Sequence, residues 1–98
     1  MSDVVGFIGL GYMGEGMATN LLTKGNALVV MANRRREAVD RLIDLGAAEV
    51  GTAEEMARQC DVVFLCVTGT PEVEALIEGP AGLLAGARPG LVVIDTST

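Results

Sequence analysis

Apolar and polar positions follow two different periods along this chain, and the changes of period mark its strands and helices. Short apolar runs rich in β-branched residues are typical of strands buried on both faces of a sheet. Such runs occupy Val4–Gly9, Leu28–Ala32, Ala47–Val50, Asp61–Val67 and Leu91–Asp95. Between them the apolar positions recur at helical spacing, as Met13, Met17 and Leu21 do. The predicted helices are Tyr12–Lys24, Arg35–Leu45, Ala53–Gln59 and Thr70–Ile77.

Glycine and proline residues support these boundaries. Gly25 and Gly46 follow the first two predicted helices, at the position where glycine commonly ends a helix. Pro71 falls in the first turn of the fourth predicted helix, where its missing N–H removes no hydrogen bond. The segment Gly79–Gly90 carries four glycines and two prolines, and we interpret it as a loop with one turn of helix.

The alternation of strands and helices predicts an α/β fold with helices on both faces of a parallel sheet. Right-handed connections favour a Rossmann-type doubly wound sheet with strand order 3-2-1-4-5. The 98 residues correspond in length to a single domain. Because the chain stops at Thr98, directly after the last strand and its loop, we expect residues 1–98 to be one domain of a longer protein.

The net charge and the cysteine content argue against several classes of function. A net charge of −6 argues against binding to nucleic acid or to an anionic membrane, and no apolar run approaches the ~20 residues that span a bilayer. The first residues, Met1-Ser2-Asp3, lack the basic character of a signal peptide. Cys60 and Cys66 form no CxxC pair and the chain has no histidine, so we expect reduced thiols in a cytoplasmic protein without a metal site.

A glycine-rich hexapeptide connects the first strand to the first helix. It reads Gly9-Leu10-Gly11-Tyr12-Met13-Gly14, the GxGxxG pattern of dinucleotide sites. The first glycine permits the tight turn, the second lets the backbone approach a pyrophosphate, and the third allows close packing of helix on strand. The helix N-terminus then attracts the pyrophosphate through free N–H groups and its dipole. The strand before and the helix after this hexapeptide favour dinucleotide binding over a purely structural turn.

The residues after the second strand indicate which dinucleotide binds. The position that reads the ribose lies ~20 residues beyond the glycines, and here it is Asn33, followed by Arg34 and Arg35. An acidic residue there would hydrogen-bond a free 2′-hydroxyl and repel a phosphate, whereas guanidinium groups suit a phosphate. The alternative is a solvated basic start to a helix, which the helix dipole disfavours. The sequence therefore predicts a preference for NADP(H) over NAD(H).

Three motifs in this order resemble the β-hydroxyacid dehydrogenase family. FIGLGYMG at residues 7–14, continued by MATNL at 17–21, is similar to its N-terminal signature. CVTGTP at 66–71 is similar to its fourth-strand loop, and DTST at 95–98 to its DxST substrate loop. The family includes 3-hydroxyisobutyrate dehydrogenase, tartronate semialdehyde reductase, glyoxylate/succinic semialdehyde reductase and, more distantly, 6-phosphogluconate dehydrogenase. The DTST loop departs from that of 6-phosphogluconate dehydrogenase itself.

The resemblance implies roles for four loop residues. Val67 and Thr68 contact the cofactor, Ser97 donates a hydrogen bond to a substrate carboxylate, and Thr98 lies on the nicotinamide side. Capping of a loop or helix is the structural alternative for Thr68 and Ser97. In the family the catalytic lysine belongs to an all-helical C-terminal domain. No catalytic residue is therefore expected within this chain, and Lys24 fits no such motif.

The resemblance also implies an activity for the longer protein. It would transfer hydride between NADP(H) and a small β-hydroxy acid or semialdehyde, with the lysine as general acid or base. We expect this parent enzyme to be a homo-oligomer with a small carboxylate-bearing substrate, and the 98-residue chain alone to be inactive. Two alternatives remain: a nucleotide-binding module without catalysis, and an NADPH-dependent enzyme similar to the imine reductases, which lack the lysine.

Overall fold

Strands and helices alternate along the chain in the predicted order. The computed structural model describes residues 4–9, 12–31, 36–66, 74, 77–80, 82–87 and 89–95. The strands are β1 (Val4–Ile8), β2 (Ala27–Met31), β3 (Ala48–Val50), β4 (Val62–Leu65) and β5 (Val92–Asp95). The helices are α1 (Tyr12–Thr23), α2 (Arg36–Asp44), α3 (Ala53–Gln59) and the single turn α4 (Leu83–Gly86).

The five strands of the described residues form one parallel sheet. Their order is β3-β2-β1-β4-β5, which confirms the predicted Rossmann-type arrangement. Ile8 at the end of β1 pairs with Leu65 at the end of β4, and Leu65 pairs in turn with Asp95 of β5. On the other side of β1, Phe7 pairs with Val30 of β2. The carboxyl ends of the central strands therefore meet at one edge of the sheet.

Two apolar layers hold the helices against the sheet. Successive side chains of a strand point to opposite faces, so Phe7 and Ile8 of β1 enter different layers. Phe7 packs with Leu42 of α2 in the layer that also contains residues of α1. Ile8 packs with Met56 of α3 and Leu83 of α4 in the other layer. Burial of each large apolar side chain stabilises the fold by about 1.5–3 kcal/mol.

The helix ends and the connecting segments agree with the sequence pattern. Gly25 and Gly46 follow α1 and α2 with φ of +94° and +114°. The predicted loop at 79–90 contains the single turn α4. Of the predicted helix over residues 70–77, Glu74 and Ile77 have helical backbone, and the other positions lie outside the described residues.

The edge strand β5 has one neighbour in the sheet, β4. The side chains of Val92, Val93 and Ile94 are exposed, with Val92 at 50%. Among the described residues, no helix has both the length and the apolar character to cross a membrane.

Candidate functional site

The turn between β1 and α1 has the geometry that the glycine motif predicts at its first and third glycines. Gly9 directly follows β1 and has a φ of +99°, a conformation that residues with a side chain rarely adopt. Gly14 lies in the first turn of α1. A methyl group built on it would overlap the carbonyl oxygen of Gly9 and lie 3.2 Å from Cε1 of Phe7. The absence of a side chain thus lets α1 pack directly onto the end of β1.

The strands β1, β2, β4 and β5 end along one edge of the sheet. The backbone N–H of Cys66, just after β4, donates to the carbonyl oxygen of Ile8 at 2.9 Å, so the chain leaves β1 and β4 side by side. The strand order reverses between these two strands. In open α/β sheets, ligands bind in the crevice outside the carboxyl ends at such a reversal.

The predicted site residues follow these strand ends in the sequence. Gly9 and Gly14 are described in full, and Tyr12 and Met13 are described as the first backbone residues of α1. The remaining predicted residues lie outside the described part of the chain: Leu10, Gly11, Asn33, Arg34, Arg35, Val67, Thr68, Ser97 and Thr98. Contact of all these residues with a cofactor or substrate stays a prediction.

Arg36, which follows Arg34 and Arg35 in the sequence, is engaged by carboxylates. Arg36 begins α2, and its Nη2 donates to Oε1 of Glu49 on β3 at 3.0 Å while its Nε donates to Oδ1 of Asp40 at 3.1 Å. The hydrogen bond with Glu49 raises the pKa of Arg36 above its usual value and lowers the pKa of the Glu49 carboxyl below its ordinary value of 4.5. The charge expected to read a 2′-phosphate is therefore that of Arg34 and Arg35.

An ion pair that the sequence pattern did not predict lies beside the start of α1. Glu15, in the first turn of α1, accepts two hydrogen bonds from the guanidinium of Arg41 on α2. The carboxylate side chain is 16% exposed and the arginine 53% exposed. The two residues are separated by 26 positions in the sequence. No local spacing could have predicted this pair, because it depends on how α1 and α2 pack against each other.

The cysteines and acidic residues do not form a metal centre within the described segments. Cys60 is buried, Cys66 is partly buried, and neither forms a disulfide within the part of the chain that the structure describes. No group of three or more His, Cys, Asp or Glu side chains placed to hold a metal ion occurs among the residues that the structure describes. The start of α1 lies at the carboxyl edge of the sheet, and free backbone N–H groups at a helix N-terminus are suited to hold an anion.

Comparisons with known proteins agree with this geometry. A family model described as the NAD binding domain of 6-phosphogluconate dehydrogenase matches residues 4–98. The human protein Cytokine-like nuclear factor N-PAC is 42% identical over 94 residues, a match that covers 96% of this chain and 17% of N-PAC. The 2-hydroxy-3-oxopropionate reductase of Escherichia coli K12 is 37% identical over 94 residues, covering 96% of this chain and 32% of the reductase.

A solved structure of another protein has a similar fold. That of Psf3 in complex with NADP+ and 2-OPP superposes with a TM-score of 0.85 at 39% identity, covering 96% of this chain and 33% of Psf3. The chain thus spans at most about a third of the length of these three relatives. Tartronate semialdehyde is another name for 2-hydroxy-3-oxopropionate, so the E. coli reductase is a member of the family that the motifs resemble. The chain therefore belongs to the family of the 6-phosphogluconate dehydrogenase NAD binding domain and is an NAD(P)-binding domain of the hydroxyacid dehydrogenase type.

Proposed function

We propose that this chain is the NADP(H)-binding domain of a longer oxidoreductase. That enzyme would transfer hydride between NADP(H) and a small β-hydroxy acid or semialdehyde. The observation that carries the proposal is the glycine turn: Gly9 with positive φ and Gly14 against its carbonyl oxygen bring the start of α1 to the carboxyl edge of the sheet. A pyrophosphate at this position receives hydrogen bonds from backbone N–H groups and a favourable helix dipole.

The preference for NADP(H) over NAD(H) rests on the residues after β2. Asn33 offers no carboxylate to hydrogen-bond a free ribose 2′-hydroxyl, and Arg34 and Arg35 offer two guanidinium groups for a phosphate. Arg36 is excluded from this role because Glu49 and Asp40 already engage it. The similar fold of Psf3, which was solved in complex with NADP+, supports the same choice.

The predicted loops after β4 and β5 would position the cofactor and the substrate. Val67, Thr68 and Thr98 would contact the cofactor, and Ser97 would donate a hydrogen bond to the substrate carboxylate. When bound, the nicotinamide supplies or accepts the hydride, and the protein holds cofactor and substrate in contact. The general acid or base would be the lysine of an all-helical second domain, in a homo-oligomeric cytoplasmic enzyme.

A second candidate function is a nucleotide-binding module without catalysis. It is favoured by the identity of 42% to N-PAC, whose name describes a nuclear factor rather than an enzyme. The two candidates share the cofactor site and differ in turnover. We favour the oxidoreductase because the motif DTST begins at Asp95, the last residue of β5, which pairs with Leu65 of β4 beside the end of β1.

The test of the proposed function is a comparison of the two cofactors followed by an activity assay. Dissociation constants for NADP+ and NAD+ are measured for the wild-type protein, for the double variant Arg34→Ala with Arg35→Ala, and for Arg36→Ala as matched control. We expect tighter binding of NADP+ by the wild type and by Arg36→Ala, and loss of this preference in the double variant. Equal wild-type affinities for the two dinucleotides would contradict the NADP(H) assignment.

The activity assay separates the two candidate functions. The whole protein is incubated with NADPH and a panel of small semialdehydes, including tartronate semialdehyde, and NADPH oxidation is followed by absorbance. Substrate-dependent oxidation supports the oxidoreductase. Binding of NADP+ without turnover of any semialdehyde or β-hydroxy acid would support the non-catalytic module instead.

A further inference from the structure

Three exposed large apolar side chains of the domain are consecutive in the edge strand β5. They are Val92, Val93 and Ile94, with exposed fractions of 50%, 38% and 38%. Residues paired across parallel strands point to the same face of the sheet, and Val92 pairs with Val62 while Ile94 pairs with Phe64. These two pairs form one apolar strip, here named the outer strip, on a single face of β4 and β5.

The outer strip lies on the face of the sheet that carries α1 and α2. Phe64 stacks on Phe7, whose apolar layer includes residues of those helices, with 5.8 Å between the ring centroids. On this face α1 packs on β1 and β2, and α2 packs on β3. Because β5 lies two strands away from β1, these helices leave the outer strip partly open: its β4 residues are half-buried and its β5 residues are exposed.

The opposite face of β4 is closed. Val63 and Leu65 are fully buried there, in one cluster with Met56 of α3 and Leu83 of α4. Parallel sheets occur almost only with both faces covered, because their strands are apolar on both faces. A further strand at the free edge of β5 would not cover Phe64, which lies one strand further in. The outer strip therefore fits the apolar face of a helix.

The lengths of the relatives indicate the source of that helix. The chain covers 32% of the E. coli reductase and 33% of Psf3, which superposes with a TM-score of 0.85. About two thirds of each relative therefore lies outside the matched region. A helix that belongs to the same polypeptide is present at a high effective concentration, whereas a second copy must first associate from solution.

We propose that the outer strip is the docking surface for an apolar helix from the part of the longer protein outside residues 1–98. This inference rests on the proposed function, which makes the chain one domain of such a protein. Ile94 directly precedes the DTST motif at residues 95–98. A helix docked on the outer strip therefore holds the rest of the protein beside the predicted substrate loop.

The first test compares two variants of the full-length protein, Val92→Cys and the matched control Leu45→Cys. Leu45 follows α2, which packs on the opposite edge strand β3, and it is 54% exposed against 50% for Val92. Peptide mass spectrometry measures how fast a thiol reagent modifies each introduced cysteine, relative to its rate in the urea-unfolded protein. The exposed fractions within the domain alone predict similar rates. Docking predicts that Val92→Cys reacts at least about tenfold more slowly, which corresponds to about 1.4 kcal/mol for opening of the docked helix.

The second test identifies the segment that covers the outer strip and needs no introduced thiol. A diazirine analogue of leucine is incorporated at position 92 of the full-length protein and photolysed, and mass spectrometry locates the crosslinked residues. We expect crosslinks within the same polypeptide, outside residues 1–98. Their positions should be spaced by three or four residues, as on one face of a helix.

Four outcomes would overturn the inference. They are equal modification rates of the two cysteines, crosslinks to a second copy of the protein, crosslinks at alternate residues as in a strand, and no crosslink outside residues 1–98. Each of them leaves the proposed function intact, because NADP+ binding is measured separately on the same protein. A full-length protein that shows the expected protection and crosslinks but binds neither dinucleotide would refute the proposed function and not the docking.

Discussion

Addition of one methyl group at Gly14 tests whether close packing of α1 on β1 is what the third glycine of the motif provides. A Cβ atom at Gly14 would overlap the carbonyl oxygen of Gly9, and Cε1 of Phe7 would lie 3.2 Å away. The overlapping atom belongs to the backbone, so it cannot rotate away as the end of a flexible side chain can. Gly14→Ala must therefore move the start of α1 or distort the turn that precedes it.

Gly16 of the same helix provides a matched control. It is exposed, and a Cβ atom built on it meets no other atom within 4 Å. Replacement of a helical glycine by alanine in open space stabilises a protein by about 0.5–1 kcal/mol. Overpacking costs about 1–3 kcal/mol. At Gly14, the preference of alanine over glycine in a helix offsets part of that cost. Gly16→Ala should therefore be more stable than wild type, and Gly14→Ala less stable.

The free energies of unfolding of the two variants should differ by about 2 kcal/mol. In a domain of this length, such a difference separates the midpoints of thermal unfolding by roughly 8–16 °C. Urea and thermal denaturation, followed by circular dichroism, measure both quantities. Because the same alanine is introduced into the same helix, effects on the unfolded chain largely cancel. Equal stability of the two variants would refute the packing role assigned to Gly14.

Three further predictions concern the substrate loop, the ion pair of Arg36 with Glu49 and the isolated chain. In the full-length protein, Ser97→Ala should lower kcat/KM about tenfold or more by raising KM, because a hydrogen bond to a charged group is lost, and wild-type kinetics on every carboxylate substrate would contradict this role. Because the folded-state pKa of Glu49 is lowered, its contribution to stability is present above pH 4.5 and is lost as the pH falls through that lowered pKa. As the pH is lowered, the free energy of unfolding should therefore decrease less in Glu49→Gln than in wild type. Identical dependence of this free energy on pH in the two proteins would exclude the effect. The 98-residue chain alone should oxidise no NADPH with any semialdehyde, and measurable turnover would show that the general acid lies within it.

The sequence pattern predicted the elements that depend on local spacing. The predicted helix Ala53–Gln59 has the same bounds in the structure, because Thr52 caps it by accepting a hydrogen bond from the N–H of Glu55. The strand predicted over Asp61–Val67 is shorter, Val62–Leu65. Its apolar run extends beyond the residues that pair with β1 and β5, and apolar character alone does not show where pairing ends.

Contacts between distant elements could not be predicted from the sequence. The pair of Glu15 with Arg41 requires that α1 and α2 pack side by side, and the pair of Arg36 with Glu49 requires β3 beside the start of α2. Gly6 is a further case. A Cβ atom there would lie 2.6 Å from Cγ of Met56, so the glycine admits α3 against β1. A single glycine in an apolar strand gives no indication of which helix approaches it.

The measurement that tests the central claim most directly is calorimetric titration of the protein with NADP+, for the wild type and for Gly11→Val. The account predicts saturable binding at a single site in the wild type. In Gly11→Val, whose side chain would occupy the approach path of the pyrophosphate, it predicts no binding. Circular dichroism of the variant verifies that the fold is retained. Equal affinity of a folded Gly11→Val variant and the wild type would contradict the claim that the turn between β1 and α1 binds the dinucleotide.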